Sequence, residues 1–536
     1  MRFNKFLITT SLSALVLFSA SCKKVLDEVP YNAFTEESVF TTPARAELAL
    51  YGVYDAIQTG GPTLGGRGYP FGAANVQQGD NRGEDMVNLA AFYQFTYQGT
   101  YNSGTANNQA FWDNSYSAIN KANIAIDGFK KVGLSGIISP ALAIQYEAEA
   151  RFLRALCHLE MLTHFARPYI DGNGGALGIP YRTTAIVGSA TLDELRTQPR
   201  PTVAVGYTKA LEDLNFAETN LPATQTLGAL RARSSSAIAL KMRAYMHMGN
   251  WASVRTEGNK LIPAVVNPLA PTTAVSLIGA HALLASPAGA FGSPGGNSIT
   301  VENLFSVKND PLDNGSVNGA LASQYGSTDL GGRGLVSVSP IIWNNAQWLT
   351  TDTRRSTLYR TGNNAISSSI MTTKYTDYVG RGDNNPIIRW SEVLLMQAEA
   401  EARLGTGVTQ RAIDLLNLVR NRASTSPATT QYTIASFADQ AALVTAILLE
   451  RRIEFLAEGK RWADIHRTAV DPIISVRSVG IPAKITNGNS GIALYGIGVP
   501  VTAGQLSIAY TDFRFIWPIP IGEVTQNPII VQNPGY

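Results

Sequence analysis

Ser139-Pro140-Ala141-Leu142-Ala143-Ile144-Gln145-Tyr146-Glu147-Ala148-Glu149-Ala150-Arg151-Phe152-Leu153-Arg154-Ala155-Leu156-Cys157 carries the clearest helical pattern in the chain. Ser139 followed by Pro140 is a helix start, with the hydroxyl as cap and Pro at the first helical position. Leu142, Tyr146, Ala150, Leu153 and Cys157 then recur at the spacing of one helix face, and Pro168 lies beyond the end. Cys157 falls on that apolar face, where a thiol behaves as a small buried hydrophobe.

The same period appears on both sides of this stretch. Phe111–Lys131 carries Trp112, Tyr116, Ile119, Asn120 and Asn123 at helical spacing. Ser234–Gly249 places Ile238, Met242 and Tyr245 on one face, and the turn Gly249-Asn250 leads into another helix from Trp251. Ser391–Leu404 is closed by Gly405-Thr406-Gly407, after which Ala412, Leu415, Leu416, Val419 and Ala423 restart the pattern. Leu443–Glu458 is one more. These pairs have a unit length close to the roughly 34 residues of tetratricopeptide repeats. They are separated by loop-like stretches, Gly60–Gly83, Ala285–Asn297 and Gly488–Gly504, of a length that usually serves function. Asn303–Val307 and Phe513–Ile519 read as short strands. The expectation is a mainly α fold, a scaffold of helical hairpins carrying a loop-rich irregular subdomain and minor β.

The beginning of the chain has a different character. Arg2 and Lys5 precede an apolar run from Phe6 to Ala20, and Ser19, Ala20 and Ser21 lead into Cys22. That is the pattern of a secretory signal peptide over residues 1–21. A cysteine directly after the small residues resembles a bacterial lipobox, which predicts a lipidated Cys22 and a mature chain Cys22–Tyr536. No later run of about 18 apolar residues suggests a membrane span. Charged residues make up 15 % of the chain, against roughly 25 % in an average soluble protein. A net charge of +3 over 536 residues supplies no basic stripe for nucleic acid. A weakly charged surface with 21 Tyr and 7 Trp suits a neutral polar ligand.

Longer motifs now carry a resemblance. Glu147-Ala148-Glu149-Ala150-Arg151-Phe152-Leu153-Arg154-Ala155 with Phe165-Ala166-Arg167-Pro168 is similar to the first helical signature of the SusD/RagB family of outer-membrane nutrient-binding lipoproteins. Ile387-Ile388-Arg389-Trp390-Ser391-Glu392-Val393-Leu394-Leu395 with Ala398-Glu399-Ala400 resembles the second. Glu450-Arg451-Arg452-Ile453-Glu454-Phe455 through Glu458-Gly459-Lys460-Arg461-Trp462-Ala463-Asp464 resembles the third. Leu26-Asp27 and Pro30, and at the end Pro518-Ile519-Pro520, Glu523, Asn527-Pro528 and Gln532-Asn533-Pro534-Gly535-Tyr536, fit as well. Lys460 and His466 depart from the pattern, in a stretch read as a structural helix. The resemblance implies a SusD-like domain over 22–536, lipid-anchored at the surface of the outer membrane. It further implies capture of a glycan, or sometimes a peptide, for a TonB-dependent transporter of the SusC type.

Glu450, Glu454 and Glu458 recur at i, i+4 and i+8 with arginines within one turn, and read as a structural ion-pair network. A glycosidase needs two carboxylates across a sugar cleft, one with a raised pKa. Carboxylates surrounded by arginines stay ionised, which suits no general acid. His158, His164, His247, His281 and His466 show no metal spacing. No GxSxG elbow or GxxxxGK[ST] loop occurs, and Gly65-Gly66-Arg67-Gly68 reads as a turn. The expectation is no enzyme, no metal and no cofactor.

Aromatic residues in loops are the candidate ligand contacts. Phe92, Tyr93, Phe95, Tyr97 and Tyr101 crowd one Asn- and Gly-rich stretch, and Tyr325 and Trp343 stand in two further loops. Sugar rings present apolar C–H faces that lie flat on such rings, with amide side chains bonding the hydroxyls. The alternation at 93, 95 and 97 also suits a half-buried strand, so both readings stand. Tyr93, Phe95, Tyr97, Tyr101, Tyr325 and Trp343 are the candidate binding residues, whereas Trp112, Trp390 and Trp462 read as core. A peptide-binding interaction protein of the same transport type is the alternative, and a surface glycoside hydrolase the outside one.

Overall fold

The computed structural model describes residues 39–58, 67–263, 276–292, 300–474 and 480–536. Cys22, the run before it, Leu26-Asp27 and Pro30 lie outside the described residues. So do residues 60–66 of the first expected loop and 293–297 of the second. Helices dominate. The long ones are α1 (Pro43–Gln58), α2 (Ala73–Asn81), α3 (Ala106–Leu134), α4 (Pro140–Phe165), α5 (Val203–Asn220), α6 (Ser234–His247) and α7 (Trp251–Leu261). Four more follow: α8 (Trp390–Leu404), α9 (Gln410–Arg422), α10 (Gln440–Glu454) and α11 (Arg461–Thr468). Consecutive helices from α3 to α9 pack on one another, α1 lies on α3 and α10 on α8. This is the expected scaffold of helical hairpins of tetratricopeptide-repeat type.

The decisive stretch starts as its sequence dictates. Ser139 Oγ accepts from the Leu142 N–H at 3.2 Å and Pro140 opens α4. Replacing Ser139 by Ala should cost about 1 kcal/mol. Chemical denaturation with hydrogen exchange at the first turn of α4 reads this loss, and unchanged exchange there would show that the cap contributes nothing. Phe152, Leu153, Leu156, Cys157 and Phe165 are buried in the main core with Phe111, Trp112, Trp390 and Trp517. The turn after α6 is made by Gly249 at φ +69°, a conformation that costs any residue with a Cβ.

Among the described residues, the β component is three two-stranded antiparallel ladders. β1 (Met86–Asn88) pairs with β3 (Val336–Val338), β2 (Asn303–Val307) with β6 (Asn385–Arg389), and β4 (Tyr359–Asn363) with β5 (Ser368–Thr372). The second expected strand, Phe513–Ile519, does not form. Asp512 accepts from the Arg514 N–H and shapes a tight turn over Phe513–Phe515, after which Ile516, Trp517 and Ile519 bury without a ladder partner. The expected loop Gly60–Gly83 is corrected over Ala73–Asn81, which forms the wholly buried helix α2. Its polar composition hides it from an amphipathic pattern, because it has no solvent face.

The carboxylates of the third signature hold arginines. Glu454 accepts from Arg389 at 2.9 Å, Arg354 at 2.9 Å and Arg422 at 2.5 Å, all within the interior. Arg389 also reaches Glu458 at 2.8 Å and Glu302 at 3.1 Å. Glu458 lies past the end of α10 rather than on it, since Ala457 and Gly459 both take positive φ. Arg451 instead pairs with Asp464, which Arg467 shares. Burial alone pushes Glu454 up, but Arg422, Arg389 and Arg354 hold it well below the usual carboxylate range. Lys460 leads into α11 with its ammonium on the Ile387 carbonyl, and burial lowers its pKa to about 8. His466 and Trp462 are buried in a smaller core under the C-terminal segment.

Candidate functional site

The aromatic stretch folds with a period different from the strand alternation. Ala91–Tyr93 is a 3-10 turn that continues into the short helix Gln94–Gln98. Gly99 at φ +66° closes it, with the Thr100 N–H on the Phe95 carbonyl at 3.0 Å. In a helix, residues three or four apart share a face. Tyr93 and Tyr97 therefore turn inward together, while Phe92 and Phe95 turn outward together. Tyr93 is buried beside Phe92, their rings 5.2 Å apart and edge-on. Tyr97 donates its hydroxyl to the Ile485 carbonyl at 2.7 Å, and Lys484 lies over its ring. Phe95 is 45 % exposed.

The outward pair walls a cleft of about 240 Å³ whose far side is Asn102, Gly104, Thr105, Ala106 and Asn107, the start of α3. Arg67 covers one face of Phe92 at 3.7 Å. The Thr105 hydroxyl accepts from the Asn102 N–H at 2.9 Å and makes no cap bond to the first turn of α3. Asn107, 1 % exposed, donates its amide nitrogen to the Phe92 carbonyl at 2.8 Å. Its side-chain oxygen has no partner. A buried unpaired acceptor costs about 1–3 kcal/mol. None of the residues lining the cleft titrates, so it offers stacking and hydrogen bonding and no acid–base pair.

The other sequence candidates have different surroundings. Tyr101 is buried with its hydroxyl on the Arg514 carbonyl and its ring edge-on to Trp517. Tyr325 is fully buried and donates to Asp80 at 2.7 Å. Burial pushes Asp80 up to about 7, even though Tyr325 and the Gly459 N–H both hydrogen-bond it. Burial likewise pushes the phenols of Tyr93, Tyr97, Tyr101 and Tyr325 upward. Trp343 is half-buried against Trp348, Tyr359 and the Arg355 guanidinium, which lies 4.6 Å from its ring. Neither Tyr325 nor Trp343 lines the Phe92–Phe95 cleft. The loop Gly488–Gly504 and the residues just before it link these regions. Asn88 bonds Asn487 at 2.8 Å, and Asn344, beside Trp343, bonds the Leu494 carbonyl and the Gly496 N–H. Asn102 and Asn107 were not singled out by sequence; their signal was the Asn- and Gly-rich composition around the aromatic run.

Comparisons with known proteins agree with this architecture. Residues 343–536 match the model of the SusD family, and residues 69–246 match a model described as starch-binding associating with outer membrane. SusD-like protein P38 of Formosa agariphila is 25 % identical, over 99 % of this chain and 98 % of that one. The crystal structure of a SusD superfamily protein from Bacteroides fragilis superposes with a TM-score of 0.72 at 25 % identity, covering 92 % of this chain and 99 % of that one. Surface glycan-binding protein A from Bacteroides uniformis shares the fold with a TM-score of 0.66 at 19 % identity, covering 92 % and 99 % of the two chains. With helical hairpins, ordered signatures and family matches in both halves, the chain belongs to the SusD/RagB family.

Proposed function

We propose that this chain is a surface lipoprotein that captures a nutrient, a neutral oligo- or polysaccharide, and delivers it to a TonB-dependent transporter of the SusC type. The observation that carries the reading is the exposed Phe95 ring, which with Phe92 walls a cleft whose other side is the polar segment from Asn102 to Asn107. It is an apolar platform for a sugar face beside polar groups able to bond hydroxyls. The family description as starch-binding, and the glycan-binding name of the Bacteroides uniformis neighbour, support the same ligand class. In this reading Phe95 contacts the ligand, Tyr93, Tyr97, Tyr101 and Tyr325 position the loops around it, and Trp343 lies at the edge of the same subdomain. The mature unit is Cys22–Tyr536, and the protein binds its ligand without altering it. Calorimetry against neutral polysaccharides and peptides, with product analysis after incubation, tests this. Binding to peptides alone, or appearance of cleavage products, overturns it.

The anchor is tested separately. Changing Cys22 to Ala should move the protein from the membrane pellet to the soluble fraction and remove its labelled-palmitate signal. A variant that still pellets with the label refutes the lipid anchor.

A further inference from the structure

Helix α1 contains a glycine for which the fold itself gives no reason. Glycine is a poor helix former, so one inside a helix normally marks a close approach. The interior glycines of the other long helices obey this. A Cβ on Gly79, Gly128, Gly133, Gly206 or Gly258 would meet a neighbouring atom at 3.1 Å or less. At Gly52, midway along α1, a Cβ would meet nothing within 4 Å. The space over Gly52 is a hollow of about 570 Å³, a size suited to a small-molecule ligand.

The walls of this hollow have a definite chemistry. Tyr51, Ile57, Leu227 and Leu230 are among the residues that make its apolar sides, and Asp55, Lys308 and Asp313 stand around it. Gln58, at the end of α1 and 5 % exposed, gives its amide nitrogen to the Lys308 and Asp313 carbonyls at 2.9 and 3.0 Å. Those bonds fix which way the amide points. Its oxygen is left buried without a partner in a residue that lines the hollow. Burial also raises the Asp55 carboxyl, an effect that Lys121 counters. An aromatic and aliphatic wall, a floor without a side chain and the Asp55 carboxylate suit a ring with an apolar face and hydroxyls to donate.

We infer that the hollow over Gly52 is a second saccharide-binding site, taking one pyranose unit through Tyr51, Leu227 and the Asp55 carboxylate. This inference rests on the proposed glycan function, and the hollow shares no residue with the Phe92–Phe95 cleft. Two sites on one chain raise the effective affinity for a polymer that spans both.

The test uses the full mature chain carrying Cys22→Ala, titrated calorimetrically with maltohexaose, cellohexaose, xylohexaose and mannohexaose. Gly52→Trp extends a ring into the hollow from a position where a Cβ meets no neighbour, and Leu227→Ala removes one wall. The Phe95→Ala protein should retain weak binding. Adding Gly52→Trp should lower that remaining binding about tenfold, and Leu227→Ala should lower it several-fold. Gly52→Trp alone should melt no lower than the parent. If it does melt lower, Leu227→Ala decides. Complete loss of binding in Phe95→Ala alone overturns the second site and leaves the cleft standing. Full affinity in Phe95→Ala that Gly52→Trp abolishes makes the hollow the main site and overturns the cleft. Unchanged binding in the double variant, or no binding of any hexasaccharide by the parent, overturns both.

Discussion

Replacing Arg389 by Met should cost about 3–5 kcal/mol of stability, the usual result of removing one partner from a buried ionic network. Arg389 is 2 % exposed, and its guanidinium bridges Glu302, Glu454 and Glu458. Arg422 and Arg354 remain on Glu454, but Glu458 would keep only Lys374. The methionine matches the volume and leaves the carboxylates with too little positive charge. Thermal melting should fall clearly, while the folded fraction still binds glycan. The deficit should depend on pH in a definite direction. Glu454 is held well below its ordinary range, so its contribution is fully present above the unfolded pKa of about 4.3. That contribution is lost as pH falls through the depressed folded value. The gap between parent and variant should therefore be widest near neutral pH and shrink below about pH 4. Unchanged melting with abolished ligand binding would place this network in a binding site.

The helical scaffold was legible because its core-facing apolar residues recur at helical spacing, even in α4, whose other faces are largely buried too. Leu142, Tyr146, Ala150, Leu153 and Cys157 record that geometry directly, and Ser139-Pro140 marks where it begins. Helix α2 was not legible for the opposite reason. Asn75, Gln77, Gln78, Asp80 and Asn81 are all buried, so no periodic contrast between faces exists to read. Gln77 reaches Gln324, and Asp80 takes Tyr325 and Gly459, partners hundreds of residues away in sequence. The strand signal at Phe513–Ile519 failed similarly, because the burial of Phe515–Ile519 yields an apolar run whether or not a ladder partner exists. The candidate site shows the sharpest limit. Five aromatic residues between 92 and 101 were evident, but which of them face outward depends on the local period. A two-residue period groups Tyr93, Phe95 and Tyr97; the helical turn groups Tyr93 with Tyr97 and Phe92 with Phe95. Gly99 at φ +66° was the punctuation that favoured the turn. The unpartnered Asn107 carbonyl depends on a contact with the Phe92 backbone and has no signature in the chain itself.

Changing Phe95 to Ala should therefore weaken glycan binding about tenfold or more, since stacking on an exposed ring rests on its area and flatness. Phe95 is 45 % exposed and lines the cleft, so its removal opens no cavity in the core and the melting temperature should scarcely move. Tyr97→Ala should behave in the reverse way. It removes the hydroxyl bond to Ile485 and a ring buried under Lys484, so the loss should appear first in stability and only through it in binding. Asn107→Asp adds a charge next to the Phe92 carbonyl, where the amide nitrogen now donates, and should weaken binding together with the loop. In the parent protein the lining residues Phe92, Phe95, Asn102, Gly104, Thr105, Ala106 and Asn107 carry no titrating group. Affinity should accordingly stay flat from about pH 6 to 8 and vary little with salt. Calorimetry on the three variants, paired with melting curves, separates the roles. Equal binding by Phe95→Ala and the parent would remove the cleft from the mechanism. A steep pH dependence would point to a titrating contact outside it.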